Sequence, residues 1–357
     1  MYQLLVINPG STSTKIAWYC DENLQWSQNV EHSPEQLKTY KVIYDQLAMR
    51  TELVLQVVMQ QGFSIRNLSA VVARGGLLPP VSSGAYEVNP EMIDVLKNRP
   101  VNHHASNLGA AIAYHIAQQI GVKAYIYDSV SVDEMIDIVR ITGLKDINRF
   151  GQGHNLNMRA AALRLCKETP GMDYASSNII VAHLGGGITL SLHSNGRIVD
   201  LISDDEGAFS PERAGALPSY LLLDKITREG LNYADTMRIL QRNGGLSSHF
   251  GTSDCRKVED MAFQENNTRA RLVLDAMALS VARSIAKLAV VVNGSIDRIV
   301  LTGGIAYSSY ITAQISSRVS FIAPVVILPG ENEMEALAQG ALRVLRGVEN
   351  AKLYESF

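Results

Sequence analysis

Asn8, Pro9, Gly10, Ser11, Thr12, Ser13 and Thr14 follow the apolar run Leu4–Ile7 and lead to Lys15 before the chain turns apolar again. A short glycine- and hydroxyl-rich turn after a strand leaves backbone N–H groups without a ladder partner. Such a nest binds anions, phosphate above all. Asn8, Ser11 and Ser13 would add side-chain donors and Lys15 a charge. Gly185-Gly186-Gly187 and Gly303-Gly304 also follow apolar runs. Each of these turns alone reads equally well as an ordinary hairpin turn, which favours the same residues. Three of them in one chain, two in comparable halves, suggest a nucleotide held by both halves. Other phosphate devices are missing: there is no G-x-x-x-x-G-K-[ST], and no G-x-G-x-x-G follows a strand. The H-E-x-x-H and G-x-S-x-G motifs of zinc proteases and serine hydrolases are absent too.

Charged residues cluster near these turns. Arg74 precedes Gly75-Gly76, and Arg213 lies in GAFSPERAG. Both sit among small residues, where a ligand can approach, and a guanidinium suits carboxylate and phosphoryl oxygens because it donates two parallel hydrogen bonds. Arg149 reads as a surface charge, and Asp204-Asp205-Glu206 as a solvated acidic turn. His154 alone reads as structural. His103-His104 reads as a cap region rather than a metal pair, since adjacent residues diverge on a helix or strand. Asp254 and Arg256 share the segment GTSDCR.

The elements that position these residues can be traced from pattern. Residues 3–7 form a strand, and Lys15–Tyr19 a second. Ser33-Pro34-Glu35-Gln36 opens a helix with a cap, a first-turn proline and a capping box, running through residues 42–58 with a break. Leu68–Ala73 is a strand ending at Arg74. Residues 105–120 are helical, with Gly121 as the stop. Ala124–Val130 is a strand that delivers Asp128 at its C-terminal end. Residues 178–193 repeat the opening plan of strand, glycine turn, strand, and Asn195-Gly196 turns into another strand. Asp297–Thr302 leads through Gly303-Gly304 to a helix, and residues 331–345 close the chain as a helix. The recurring plan points to a duplicated α/β architecture.

The 357 residues exceed one comfortable core, so two domains are expected. Net charge is −3, which provides no basic field for nucleic acid or an anionic membrane. The apolar stretch at residues 276–292 is broken by Arg283 and Lys287 and reads as a buried helix. Cys20, Cys166 and Cys255 are odd in number and far apart, so neither a disulfide framework nor a cysteine zinc site is expected, and a cytoplasmic location fits.

NPGSTSTK, ARGGLLPP, YDSV, RFGQGHNLN, HLGGGITL, EGAFSPERAG, GTSDCRKVE and LTGGIAYS occur in that order over residues 2–345. Together they resemble the acetate, propionate and butyrate kinase family. The resemblance implies a two-domain, duplicated actin and sugar-kinase type fold, ribonuclease H-like, with an active-site cleft between the domains. The expected domains are 1–155 plus 337–357, and 156–336, the latter binding nucleotide. The implied reaction is reversible transfer of the ATP γ-phosphoryl group to a short-chain acid, with Mg2+. Carried over by position, Asn8, Ser11, Ser13 and Lys15 resemble the first phosphate turn, and Gly185, Gly186 and Gly187 the second. Arg74 and Arg213 resemble the arginines on the carboxylate and the moving phosphoryl group, and His154 the histidine near its equatorial oxygens. Asp128 and Glu333 resemble the metal-linked acids, with Glu331 and Glu335 left open as alternatives to Glu333. Asp254 and Arg256 resemble the nucleoside pair, and Gly303 and Gly304 the nucleotide-contacting turn.

Two departures favour the butyrate branch of the family: His183-Leu-Gly-Gly-Gly stands where acetate kinase has H-L-G-N-G, and Arg74-Gly75-Gly76 lacks the preceding histidine of R-V-V-H-G-G. Other short or branched acids, a sugar acceptor with Asp128 as base, and a non-catalytic ATP sensor remain alternatives. The net charge leaves no nucleic-acid or membrane partner expected, and the family resemblance implies a homodimer or larger assembly of dimers.

Overall fold

The computed structural model describes residues 1–355. The chain divides into two compact units, the first Met1–Asp133 with the segment from Asn332 onward, the second Glu134–Glu331.

In the first unit, β1 (Gln3–Pro9), β2 (Ser13–Cys20) and β3 (Asn23–Glu31) form an antiparallel meander. β4 (Ala70–Arg74) and β6 (Lys123–Tyr127) add in parallel beside β1, and β5 (Ala85–Glu87) closes antiparallel on β6. The second unit repeats the scheme. β7 (Ile179–Leu184), β8 (Ile188–Ser194) and β9 (Arg197–Ile202) form the meander, and β10 (Arg298–Gly303) and β11 (Val325–Pro329) add in parallel beside β7. A last short strand, β12 (Lys352–Leu353), pairs with β5. The shared order, third-second-first strand and then two parallel strands, is the duplication expected from the glycine turns.

Parallel neighbours need crossovers. The helix Leu47–Gln60 lies between β2–β3 and β4 in sequence, and the helix Leu108–Gln118 between β4 and β6. In the second unit the helix Thr268–Ala289 buries Leu274, Met277, Val281, Ile285 and Leu288, while Arg283 and Lys287 face out. Each fully buried side chain of this size contributes about 1.5–3 kcal/mol. No helix among the described residues is long and apolar enough to cross a membrane.

The helix opened by Ser33 has the break read from the sequence: it is Pro34–Lys38, and the main helix starts at Leu47. The compact units are bounded differently from the expected domains. The first unit ends at Asp133, not 155, because residues 134–150 bond to β9: Ile136 N–H donates to Val199 O at 3.0 Å and Arg149 to Leu201 O at 2.7 Å. The chain rejoins the first unit at Asn332 rather than 337, because the helix Glu333–Leu345 buries Met334 and Leu337 and packs on β1, β4 and β6.

Candidate functional site

In the first unit, the β1–β2 hairpin brings Asn8 opposite Lys15 and leaves Gly10–Ser13 as its loop. Asn8 Nδ2 donates to Glu333 Oε2 at 2.6 Å, and Arg74 Nη1 lies 3.5 Å from Glu333 Oε1. Arg74 stands at the C-terminal end of β4, so strand β1, strand β4 and the N-terminus of the helix Glu333–Leu345 converge on one ion pair. Gly75 and Gly76 make that convergence possible: a Cβ on Gly75 would come 2.6 Å from Ser129 Cβ, and one on Gly76 2.7 Å from Asn107 Cα. Ser11 Oγ is 3.5 Å from His104 Nε2, and Ser13 is half-buried in the loop. His104 caps the turn at Ala105–Asn107 by accepting from Ser106 N–H at 3.1 Å, as the cap reading expects. Its imidazole is held below the usual range by burial and by the charges of Arg74 and Arg50, so it is neutral at pH 7. Asp128 follows β6 with φ at +40°, a conformation few non-glycine residues adopt, and its Oδ1 accepts from Gly84 N–H at 2.7 Å.

In the second unit, a cavity of about 650 Å3 is lined by Gly185, Gly186, Asp254, Arg256, Gly304 and Glu331 among others. These come from the β7–β8 turn, the helix Cys255–Phe263, the β10 end and the end of β11's loop. Gly303, at φ +91°, packs against Leu184 and pairs with Gly330 (amides to carbonyls at 3.2 and 3.0 Å), which fixes the position of Gly304. Asp254 caps the helix Cys255–Phe263 and also pairs with Arg256 at 3.2 Å. Gly187 does not line the cavity. It lies against Arg213, whose Nη1 is ion-paired with Asp204. Beside the same turn, the His154 and His183 rings stack with centroids 4.0 Å apart. Thr189 Oγ1 accepts from the His154 amide at 3.3 Å and lies 2.9 Å from its Nδ1. His183 Nδ1 bonds Asn157 Nδ2 at 2.8 Å, and its Nε2 lies 3.4 Å from Glu331 Oε1.

A family model described as the acetokinase family matches residues 146–326. Butyrate kinase 2 of Clostridium acetobutylicum is 45% identical over 356 residues, 99% of each chain. The chain belongs to the acetokinase family. A probable butyrate kinase of Coprothermobacter proteolyticus is 43% identical over 355 residues, again 99% of each chain. The crystal structure of Porphyromonas gingivalis acetate kinase matches with a TM-score of 0.80 at 19% identity, covering 97% of this chain and 100% of that one. The acetokinase fold, two units each built on a meander with parallel additions, is therefore the fold of this chain.

Within that family frame, the structure separates the three acids left open in the sequence. Glu333 is the partner of Asn8 and Arg74, Glu331 lines the second-unit cavity, and Glu335 is exposed and bonded to Gln339 at 2.8 Å. Among the described residues no group of three or more His, Cys, Asp or Glu is placed to hold a metal. Mg2+ needs only one or two carboxylates when substrate phosphates supply the rest. The residues therefore fit an ion that arrives on ATP. Glu333 already faces the Arg74 guanidinium, and Asp128 Oδ1 accepts from the Gly84 amide.

Two readings are corrected. Arg149 is not a surface charge: it bonds Asp200 at 3.1 Å, Glu206 at 2.7 Å and the carbonyls of Val139 and Leu201. The acidic turn is not simply solvated, since Asp204 holds Arg213 and Glu206 holds Arg149. Lys15 is exposed on β2. Sequence reading missed Glu259, Tyr307 and Ser308 in the cavity, where the Ser308 hydroxyl donates to Glu259. Only the S-S-Y run after Gly303-Gly304 hinted at a hydroxyl there. Cys255 also lines it, but burial pushes its thiol up to about 12, so it is not a nucleophile at neutral pH.

Proposed function

We propose that this protein transfers the γ-phosphoryl group of Mg-ATP to butyrate, giving butyryl phosphate and ADP, reversibly. It is a carboxyl-group phosphotransferase, and the observation that carries the choice of butyrate is the 45% identity to a butyrate kinase over 99% of both chains.

The chemistry needs no strong base. A carboxylic acid is ionised at pH 7, so its oxygen is ready to attack. The obstacle is repulsion between two anions. Arg74 at the first-unit turn takes the carboxylate and the phosphoryl group, and Arg213 beside Gly187 takes charge that develops on the phosphoryl oxygens. His154 donates a ring N–H to an equatorial oxygen. Gly185, Gly186 and Gly304 seat the nucleotide phosphates, with Asp254 and Arg256 at the nucleoside; Asn8, Ser11, Ser13 and Lys15 meet the terminal phosphoryl group. Mg2+, carried by ATP, neutralises the phosphate oxygens. Asp128 positions it or a water. A sugar kinase would need Asp128 as a poised base, and its Oδ1 instead anchors the Gly84 amide.

The partner we assign to the helices Ser219–Glu229 and Tyr233–Gln241 is a second copy of this chain. Neither helix buries a residue, and Tyr220, Leu221, Leu223 and Tyr233 are 61–84% exposed. Their charges pair within each helix, Lys225 with Glu229 and Arg238 with Asp235, leaving a face with no net charge for an oppositely charged partner. A cytoplasmic location is the setting in which the acid and ATP are both available.

The test is acyl phosphate formation from Mg-ATP and straight or branched acids of two to six carbons, trapped with hydroxylamine. A maximum at four carbons is expected. A methylene is discriminated by about 1–3 kcal/mol, so neighbouring acids will retain some activity. No product from any acid would overturn the assignment.

A further inference from the structure

Arg50 lies in the first turn of the helix Leu47–Gln60 and is completely buried. All but one of its partners are in and around the first glycine turn. Nη1 donates to Gly10 O at 3.0 Å, to Ser13 O at 3.0 Å and to Thr14 Oγ1 at 2.9 Å. Nη2 donates to Ser11 O at 3.3 Å, and Nε to Gln46 Oε1 at 3.0 Å. The remaining loop carbonyl, Thr12 O, accepts from His32 N–H at 2.8 Å. Every carbonyl of residues 10–13 is thus drawn to a donor of the first unit. Among the described residues, the Ser11 and Thr12 amides donate to no acceptor. A peptide whose carbonyl is pinned inward turns the following N–H the other way, so pinning the loop carbonyls orients these amides as donors for an incoming anion.

No carboxylate is among the acceptors of Arg50. All five are neutral. A buried charge without a counter-ion is costly, and a purely structural clamp is commonly replaced by apolar packing at no loss. The cost of burial shows in the guanidinium itself, which desolvation pulls down to about 10, still charged at pH 7. Neighbouring His32 and His104 are both held below the usual imidazole range, in part by this charge, with Glu31 opposing it at His32.

We propose that Arg50 is a positioning residue for phosphoryl transfer: it shapes the Gly10–Ser13 loop into an anion nest, and its missing counter-ion is the terminal phosphoryl group. This rests on the kinase reading above. Arg50 does not touch the substrate; it acts through the loop amides and through a charge made strong by the low dielectric around it. ADP, which lacks the terminal phosphoryl group, should bind without its help.

The experiment compares wild type with Arg50→Lys, which keeps the charge but cannot span the separate loop carbonyls with a planar fork. Thermal melting, titration with ADP and with the β,γ-imido analogue of ATP, and steady-state acyl phosphate formation are measured on each. Arg50→Lys should melt cooperatively and bind ADP within about twofold of wild type. Its preference for the imido analogue over ADP, and its kcat, should each fall about 10- to 100-fold, the scale of a small misplacement of reacting groups. A folded variant with both quantities within about twofold of wild type would reduce Arg50 to a structural residue. If Arg50→Lys does not melt cooperatively, Gln46→Leu removes only the Nε acceptor, and an unchanged preference there overturns the proposal. Wild-type enzyme that forms no acyl phosphate would instead sink the kinase reading, so the two failures are distinguishable.

Discussion

The Arg213 guanidinium is ion-paired with Asp204 and covered on its other side by Gly187, where a Cβ would come 2.7 Å from Cζ. Gly187 of the second turn therefore leaves the room that the arginine occupies. If Arg213 stabilises charge that grows in the transition state, Arg213→Ala lowers kcat by about 100-fold or more, with a much smaller change in KM for ATP. Gly187→Ala, which crowds the same guanidinium without removing it, gives a smaller loss of the same kind. Steady-state rates of hydroxamate formation check both. Near-normal turnover in Arg213→Ala would remove it from the chemistry.

Glu333 offers a sharper division. The family resemblance implies a metal-linked acid, whereas the structure places it 3.5 Å from Arg74 and 2.6 Å from Asn8. Glu333→Gln keeps an acceptor for Asn8 and removes the charge beside Arg74. The expected result is a loss of about tenfold in kcat/KM for the acid, in the range for a charge-assisted hydrogen bond, with the Mg2+ concentration for half-maximal rate unchanged. A marked rise in that Mg2+ requirement would return Glu333 to the metal.

The contrast shows what the sequence could and could not carry. Strand-turn-strand units were legible because β1, β7 and β10 are buried apolar runs and their glycines mark abrupt ends. β3 was not, because Asn23–Glu31 is an edge strand whose alternating half-buried and exposed residues show no apolar face. The cavity residues Gly185, Gly186 and Gly304 were found by local pattern. Arg149 was misread because its partners Asp200 and Glu206 are some fifty residues away, and ion pairing over that separation leaves no local mark. Arg50 escaped for the same reason: in sequence it is one cation on an amphipathic helix, and only the fold places it behind the loop.

Acid stability follows from a residue outside the site. His193 is fully buried between Tyr174 Oη at 2.9 Å and Ser191 Oγ at 2.8 Å. Burial, with Arg159 adding to it, holds its pKa down to about 3 from an ordinary 6.5. The unfolded chain therefore binds a proton below pH 6.5 that the folded chain refuses, and stability present above that value is lost as pH falls toward 3. The loss is about 1.4 kcal/mol per pH unit within the window. Urea midpoints between pH 4 and pH 8 for wild type and His193→Gln should diverge at high pH and converge at low pH. Parallel curves would mean that His193 titrates normally.

Self-association is the last expectation that the geometry makes specific. The two helices pack on their own unit only through half-buried residues such as Leu222, Ile226, Met237 and Leu240, and Tyr220 and Leu223, three residues apart, together with Leu221 and Tyr233 leave an exposed apolar stripe. Isolated helices of this length are marginal in water, so a face of this kind is stabilised by what covers it. A closed pair of copies places the same stripe on both sides, and its internally paired charges, Lys225 with Glu229, need no acidic or basic partner. Leu221→Asp buries a charge at each copy of a symmetric contact and should shift the mass measured by light scattering from dimer or higher to monomer. The residues of the cavity proposed for the nucleotide lie outside the stripe, so ADP affinity of the monomeric variant should stay within about twofold of wild type. A wild-type mass of one chain at micromolar concentration would exclude the pairing.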